Sequence, residues 1–598
     1  MPDIQSSYED FTPAERDALA PYFTNLDGPV FALVNLPETV KGALFARYSR
    51  SAKPLRRLFL DEFFDQMAGT PSPHAARAQL FQVAGPPAPR QARSLVPFDT
   101  LRAPRARRGA GTPSPHAARA PEPADGGGPP TEAVGVARAE QLYAKVFSEY
   151  GDDSVAQLGG VHLACEHVSN ILTKVLEWGR LMAYLEQSTR YVPYTARPRG
   201  RWKYLVPAEL ASAPPALRQR YTRTLDAAFE TYARWIEPMQ EYYRARHPNT
   251  AGDTEGVYRS AIRAKALDTL RGLLPAATQS NLGLYGTGQA YEALLLRMRA
   301  NPLVEAQQYA DSMLTELRKV IPAFLTRVDQ PDRGVRWSRY LIECRERTGG
   351  AAERLLANVE AEPRPEVILT DFDPDGEVKV VAAALYGVSN LPDDQLLAIA
   401  RRMPVEDRLA LLGAYVGDRA NRRHKPGRAF ERTSYRFDIL TDYGAFRDLQ
   451  RHRILTLEWQ PLTTRHGYTE PDAIRQAGAL DDWQRVMDHS AELHDAFRAA
   501  GLADAAPYAV AMAYRVRFYM DLNAREAMHL IELRTQPAGH PAYRRVCQQM
   551  HRLIADDAGH RAIAEAMRFA DHSEVELERL QAERRMAARR NDHGTTTE

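Results

Sequence analysis

The chain has little cysteine, almost no net charge and no long hydrophobic run, and each shortage removes a class of protein. Only three cysteines, Cys165, Cys344 and Cys547, occur in 598 residues, too far apart for a disulfide framework or a four-cysteine zinc site. A single cysteine nucleophile stays open beside the commoner use of cysteine as a small buried hydrophobe. The 78 basic residues nearly cancel the 76 acidic ones, leaving a net charge of +2 and no bulk-charge argument for a nucleic-acid or membrane partner. No apolar run reaches the roughly 18 residues that would span a bilayer. The start, MPDIQSSYEDFTPAE, lacks the basic and apolar blocks of a signal peptide, so the cytoplasm is expected.

What is present is ordinary globular composition, 44% hydrophobic and 26% charged, in a chain too long for one core. Two domains, or one domain doubled, are expected. Residues 1–68 read as mostly helical and open the first copy. Residues 69–134 are rich in Pro, Ala, Arg and Gly, contain TPSPHAARA twice at 70–78 and 112–120, and read as a disordered insertion. Apolar spacings of three and four return over 135–346, predicting helices across 138–158, 164–188, 215–246 and 303–328. A charged, proline-containing linker at 347–367 leads into a second copy at 368–573, with helices predicted at 394–417, 443–460, 471–499 and 509–535. Strands are predicted at 30–35 and 376–385, and the tail, 574–598, is charged helix passing into disorder. The doubling is concrete at one point, where LLLRMRANP (294–302) aligns with HLIELRTQP (529–537) without a gap and sets Arg299 on Arg534.

Two clusters carry chemistry. In FRDLQRHRILTLEW, helical spacing puts Arg447, Gln450 and Arg451 on one face with Arg453 nearly opposite. Buried guanidinium groups need anionic partners, and their planar fork suits phosphate or carboxylate; a solvated face beside Asp448 and Glu458 is the alternative. In the run Asp521 to Arg534, Asn523, Leu530 and Arg534 share one face while Arg525, His529 and Glu532 share another, a pattern open to a ligand wall or a satisfied core histidine.

These segments resemble the flavin-dependent thymidylate synthases, whose signature is Arg-His-Arg, seven residues, then Ser-x-Arg, commonly followed by Tyr. The first copy keeps Arg180, the spacing and Ser188-Thr189-Arg190-Tyr191, with Trp178-Gly179 where Arg-His belongs. The second keeps Arg451-His452-Arg453, with Pro461 where the Ser belongs and Thr463-Thr464-Arg465 displaced by two. The family's Asn-Ala-Arg helix matches 523–534 with His529 replacing Asn, and its Arg-x-x-Leu-Pro element occurs once, as Arg271 to Pro275. The resemblance implies a helix-rich α+β fold with a small antiparallel sheet in each of two tandem copies. It implies conversion of dUMP to dTMP with methylenetetrahydrofolate as carbon donor, FAD as redox cofactor and NADPH as reductant, without a cysteine nucleophile or a metal.

Carried over residue by residue, Glu186, Ser188, Arg190, Arg271, Arg465 and Arg534 would face dUMP. Arg451, His452, Arg453, Asn523, Arg525, His529, Ser154 and Arg180 would face FAD. Arg534 or Arg299 would stabilise negative charge developing on the uracil, with Ser188 beside it. Because the copies have lost complementary residues, a working site must join Ser188 and Arg190 of one to Arg451, His452 and Arg534 of the other, and two chains would form a pseudo-tetramer. A non-catalytic homologue that binds flavin or nucleotide, or acts as a scaffold, is the competing class.

Overall fold

The computed structural model describes residues 9–64, 156–249 and 253–577, with Leu580 and Arg584. One unit comprises residues 1–58 and 153–598; of the other, 59–152, the described part is 59–64. The expected insertion, most of the helix predicted at 138–158, Ser154 and almost all of the charged tail therefore lie outside the described residues.

Two antiparallel four-stranded sheets carry the fold. The first contains β1 (Val30–Leu33), β2 (Gly160–Ser169), β3 (Met182–Glu186) and β4 (Gln279–Thr287) in the order β1-β2-β4-β3. The second contains β5 (Val367–Phe372), β6 (Ser434–Asp442), β7 (Thr456–Trp459) and β8 (Arg515–Asn523) in the order β5-β6-β8-β7. The same path through both sheets gives the duplication its structural form. In β6 and β8 alternate residues, Tyr435, Phe437 and Ile439, and Val516, Phe518, Met520 and Leu522, are buried, as a pleated strand with one covered face requires.

The second and fourth strands of each sheet run straight into helices: α1 (Asn170–Leu176), α2 (Gly288–Arg299), α3 (Tyr443–Leu449) and α4 (Ala524–Arg534). Each junction is fixed by an N-cap, Ser169, Thr287, Asp442 and Asn523, whose side-chain oxygen accepts a backbone N–H three residues on. The caps set the register between copies without reference to sequence similarity. Counted from them, Trp178, Gly179 and Arg180 stand where the second copy has Arg451, His452 and Arg453. Continuing without a gap, Glu186 falls on Trp459 and Ser188 on Pro461.

By the same count Pro275 falls on Ala511, and these two residues form a bridge with each other. Around it Ala276 N donates to Val510 O at 2.8 Å and Met512 N to Leu274 O at 2.9 Å. Asn170 and Tyr443, also equivalent, touch through the Tyr443 hydroxyl and the Asn170 carbonyl at 2.9 Å. Equivalent residues meet only on a two-fold axis, so the copies pack as the subunits of an isologous dimer would.

Several expectations are corrected. The helices predicted over 164–188, 443–460 and 509–535 are each broken: 164–188 holds the end of one strand, a seven-residue helix and a second strand, 443–460 a seven-residue helix and a strand, and 509–535 a strand and then a helix. Spacings of three and four across such short elements mimic one longer helix, although Arg515–Asn523 does alternate. The strand predicted at 376–385 is the helix Gly376–Tyr386, whose three consecutive alanines favour helix over its β-branched valines, and β5 lies nine residues earlier. The linker region is helical through Leu355, the end of the helix Gly334–Leu355. The long helix predicted at 215–246 is found as Pro215–Arg246.

Candidate active site

Where β3 of the first copy ends beside α3 of the second, a chain of arginines and carboxylates crosses the boundary. Arg447 Nη2 donates to Glu186 Oε1 at 2.6 Å, while Arg451 Nη1 and Lys174 Nζ approach Oε2 at 3.7 and 3.6 Å. Burial acts to raise the Glu186 carboxyl, but these cations outweigh it and hold the group at about 2. Next along, Arg190 donates from Nε to both Asp268 oxygens at 2.8 Å, and its Nη1 reaches the Tyr543 hydroxyl at 3.4 Å. Arg271, on the segment that reaches the pseudo-two-fold axis, lies 3.9 Å from Asp442 and 3.7 Å from Asp448. Asp448 also accepts from Arg451 at 2.6 Å and lies 3.9 Å from Arg534, whose guanidinium sits over the Tyr543 ring. The structure thus brings Glu186, Arg190 and Arg271 of one copy into one charged cluster with Arg451, Asp448 and Arg534 of the other, with Ser188 two residues before Arg190.

His452 links this cluster to a second one. Arg534 Nε donates to His452 Nε2 at 3.0 Å, so the ring's proton resides on Nδ1, which faces Glu526 Oε1 at 3.3 Å. Burial, followed by Arg534 and His529, drives the imidazole well below its usual pKa and keeps it neutral. His529 is lowered to about 4 by burial and by Lys425 and Arg422, while burial raises Glu526 to about 7. Beside His529 opens a cavity of about 570 Å³ lined by Arg422, Arg423, Lys425, Arg525, His529 and Leu533, with no carboxylate in its wall. Donor atoms of His452, Glu526 and His529 lie within 4.8 Å of one another, a spacing that a metal ion could bridge. Arg534 already holds His452 Nε2, however, and the surrounding cations favour an anion there.

The Glu526 shift has a measurable sign. Its folded pKa, about 7, exceeds the reference value of 4.5, so the carboxyl subtracts stability progressively as pH rises from 4.5 to about 7. Glu526→Gln is expected to be more stable than wild type by about 1–3 kcal/mol at pH 8 and nearly unchanged at pH 4.5. Urea unfolding at the two pH values reads this, and an equal difference at both would contradict it.

The place related by the internal two-fold is built differently. Trp178 and Trp459, standing where Arg451 and Glu186 stand in the first, meet edge to face at 5.7 Å, and Trp178 Nε1 donates to Leu457 O at 3.0 Å. Gly179, Ala290 and Ala293 replace His452, Glu526 and His529, and Pro507 replaces Arg271. One charged cluster and one aromatic pair therefore occupy equivalent positions.

Not every residue singled out in the sequence joins the charged cluster. Arg299 turns away to bond Asp311 at 2.7 Å and the Val328 carbonyl. α2 is one residue longer than α4, so counted from the caps Met298, not Arg299, matches Arg534. Arg465 is exposed, and its charge is felt at His466 and His494. Arg180 is exposed and bonds Thr456 Oγ1 at 3.0 Å; Arg453 donates to the Met182 carbonyl. Both line a cavity of about 470 Å³ between the copies, along with Trp178, Arg297 and His452. Asn523 caps α4, and Arg525 donates to the Pro426 carbonyl at the wall of the basic cavity. Ser188 Oγ accepts from Arg190 N at 3.3 Å and so shapes the turn that aims Arg190. Sequence reasoning missed Asp268, Tyr543, Arg422 and Lys425. Asp268, three residues before Arg271 near the end of a helix, was the one with a readable signal.

Comparison with known proteins matches two stretches of the chain to one family. The description "Thymidylate synthase complementing protein" fits residues 116–323 and again 368–558. A UPF0159 protein of Chlamydia muridarum is 35% identical over 97% of this chain and 99% of its own length. UPF0159 protein Ta1429 of Thermoplasma acidophilum is 29% identical over 75% of this chain and 92% of its own. A solved UMP/dUMP methylase, PolB from Streptomyces cacaoi bound with 5-Br dUMP, is 20% identical and covers 34% of this chain and 97% of its own, with a TM-score of 0.28. The chain belongs to the thymidylate synthase complementing protein family and carries its domain twice in tandem.

Proposed function

We propose that the chain is a flavin-dependent thymidylate synthase that methylates dUMP to dTMP with methylenetetrahydrofolate, NADPH and FAD, and that each chain holds one nucleotide site. The observation that supports this reading is the convergence of Glu186, Arg190 and Arg271 of the first copy with Arg451, His452 and Arg534 of the second. Neither copy could assemble the set alone.

In this reading Arg190, aimed by Ser188 and Asp268, holds the phosphate together with Arg271. Arg534 stabilises negative charge developing on the uracil, and neutral His452 keeps its guanidinium aimed without adding a competing charge. The basic cavity beside His529, free of wall carboxylates, fits the pyrophosphate of FAD, with Arg422, Lys425 and Arg525 as its ligands. When bound, FAD would supply the hydride that completes the methyl group. Cys165 and Cys547 are buried, and burial raises both thiols, Cys547 to about 12, so neither is poised as a nucleophile. Because the internal two-fold already pairs two copies, two chains would suffice for a pseudo-tetramer.

Rescue of a thymidine-requiring bacterial strain that lacks its own synthase is the direct test. Wild type is expected to rescue, and Arg190→Ala and Arg451→Ala are expected to fail. Calorimetric titration with dUMP should give about one site per chain, since the Trp178 and Trp459 pair fills the related position. Two equal sites per chain would overturn the single-site reading. The competing reading, a non-catalytic nucleotide- or flavin-binding homologue, draws on the loss of that second position and predicts binding without rescue.

A further inference from the structure

At the centre of the arginine cluster sits a carboxylate where a phosphate would be expected. Asp448 accepts from Arg451 Nη2 at 2.6 Å through Oδ1, with Arg534 Nη1 3.9 Å from the same oxygen and Arg271 Nη1 3.7 Å from Oδ2. The side chain is only 16% exposed. Burial works to raise its pKa, but Arg451, Arg534, Arg271 and Arg190 together hold it below the usual carboxylate range, so it is ionised at neutral pH. The cluster is nonetheless under-satisfied: Arg271 Nη2 and Arg451 Nε are buried without a hydrogen-bond partner. Three guanidinium groups, Arg451, Arg534 and Arg271, thus converge on Asp448, and two buried donor positions among them remain without an acceptor.

We propose that Asp448 is an internal stand-in for the substrate phosphate, and that a phosphate monoester, held by Arg190 and Arg271, enters by displacing the Asp448 carboxylate from Arg271 and Arg451. The inference rests on the nucleotide reading for the identity of the substrate, but not for the anion itself. A phosphate dianion cannot share the arginines with an ionised carboxylate at hydrogen-bonding range, because the two charges repel at short separation in a largely buried site. Asp448 therefore sets the phosphate affinity: it keeps the arginines in place while the site is empty and weakens binding of any anion that does not recover its contacts. The equivalent residue in the first copy is Val175, on the side closed by the tryptophans, where no such stand-in is needed.

The test is Asp448→Asn, with Asp448→Ser as a second variant, titrated with inorganic phosphate, dUMP and deoxyuridine at fixed ionic strength. Phosphate and dUMP are expected to bind at least tenfold more tightly than to wild type, and deoxyuridine equally. Unchanged or weaker phosphate binding by folded variants overturns the proposal. Tighter phosphate with no dUMP binding upholds it and defeats the nucleotide reading instead. Should neither variant fold, a crystal structure of wild type with dUMP decides. The carboxylate should have left Arg451, and a phosphate on Arg190 with the 2.6 Å Asp448 to Arg451 bond intact overturns the proposal.

Discussion

Arg534→Ala is expected to lower dTMP formation about 100- to 1,000-fold, the range seen when one preorganised donor to a developing oxyanion is removed. The expectation follows from where Arg534 is held. Its Nε is fixed by a neutral His452 acceptor, its plane lies over Tyr543, and Asp448 is 3.9 Å from Nη1, so the guanidinium is aimed before any substrate arrives. A group aimed beforehand need not reorganise during the reaction. Its loss costs the fold little, about 1 kcal/mol, because His452 is uncharged and Asp448 keeps Arg451 and Arg271. The effect should fall on kcat more than on KM for dUMP, and Arg534→Lys should recover only part of it, since a point charge does not reproduce the planar fork. Steady-state kinetics on variants of matched thermal stability will show this; a rise in KM alone would leave Arg534 as a binding residue only.

Glu186→Ala is expected to destabilise the chain by about 3–5 kcal/mol, the cost of stripping the partner from buried charge. Arg447 is almost fully buried, at 5% side-chain exposure, and Glu186 is its carboxylate partner, so removal of Glu186 leaves a cation that water cannot reach, while the equally buried Lys174 keeps its bond to Glu177. The pH dependence supplies a second signature. The folded pKa of Glu186, about 2, lies below the reference value of 4.5, so its contribution is present above 4.5 and is lost as pH falls from 4.5 toward 2. Wild type should therefore lose stability across that window more steeply than Glu186→Ala. Urea midpoints from pH 7 to 3 measure both effects, and parallel curves would show that Glu186 is not held low. Because Glu186 comes from the first copy and Arg447 from the second, the variant should also loosen the packing between copies.

The doubling itself was legible, because the Arg-His-Arg half and the Ser-x-Arg half of one signature stand in different copies. Composition likewise pointed away from disulfides. Secondary structure was legible where one element ran long, as in Pro215–Arg246, and at the short apolar strand Val30–Leu33 within the predicted 30–35. The seven-residue helices at Asn170 and Tyr443 were hidden, since a strand entering and leaving so short a helix leaves apolar residues at spacings that a longer helix would share. The ungapped match of Arg299 to Arg534 failed for a related reason: α2 carries one extra residue, and one residue turns a helical side chain by about 100°.

Residue identity determined which chemical groups were available: arginines for an anion, three scattered cysteines, and one copy of each half of the signature. It could not fix which groups would face each other, because Glu186 and Arg447 are 261 residues apart and Arg190 and Tyr543 are 353 apart. That was decided by the two-fold packing at Pro275 and Ala511, which brings unlike sequences into equivalent places. The same packing makes one place a charged cluster around Asp448 and the other a pair of tryptophans. Each outcome depends on partners drawn from both copies, and a contact between distant segments exists only once the copies are packed.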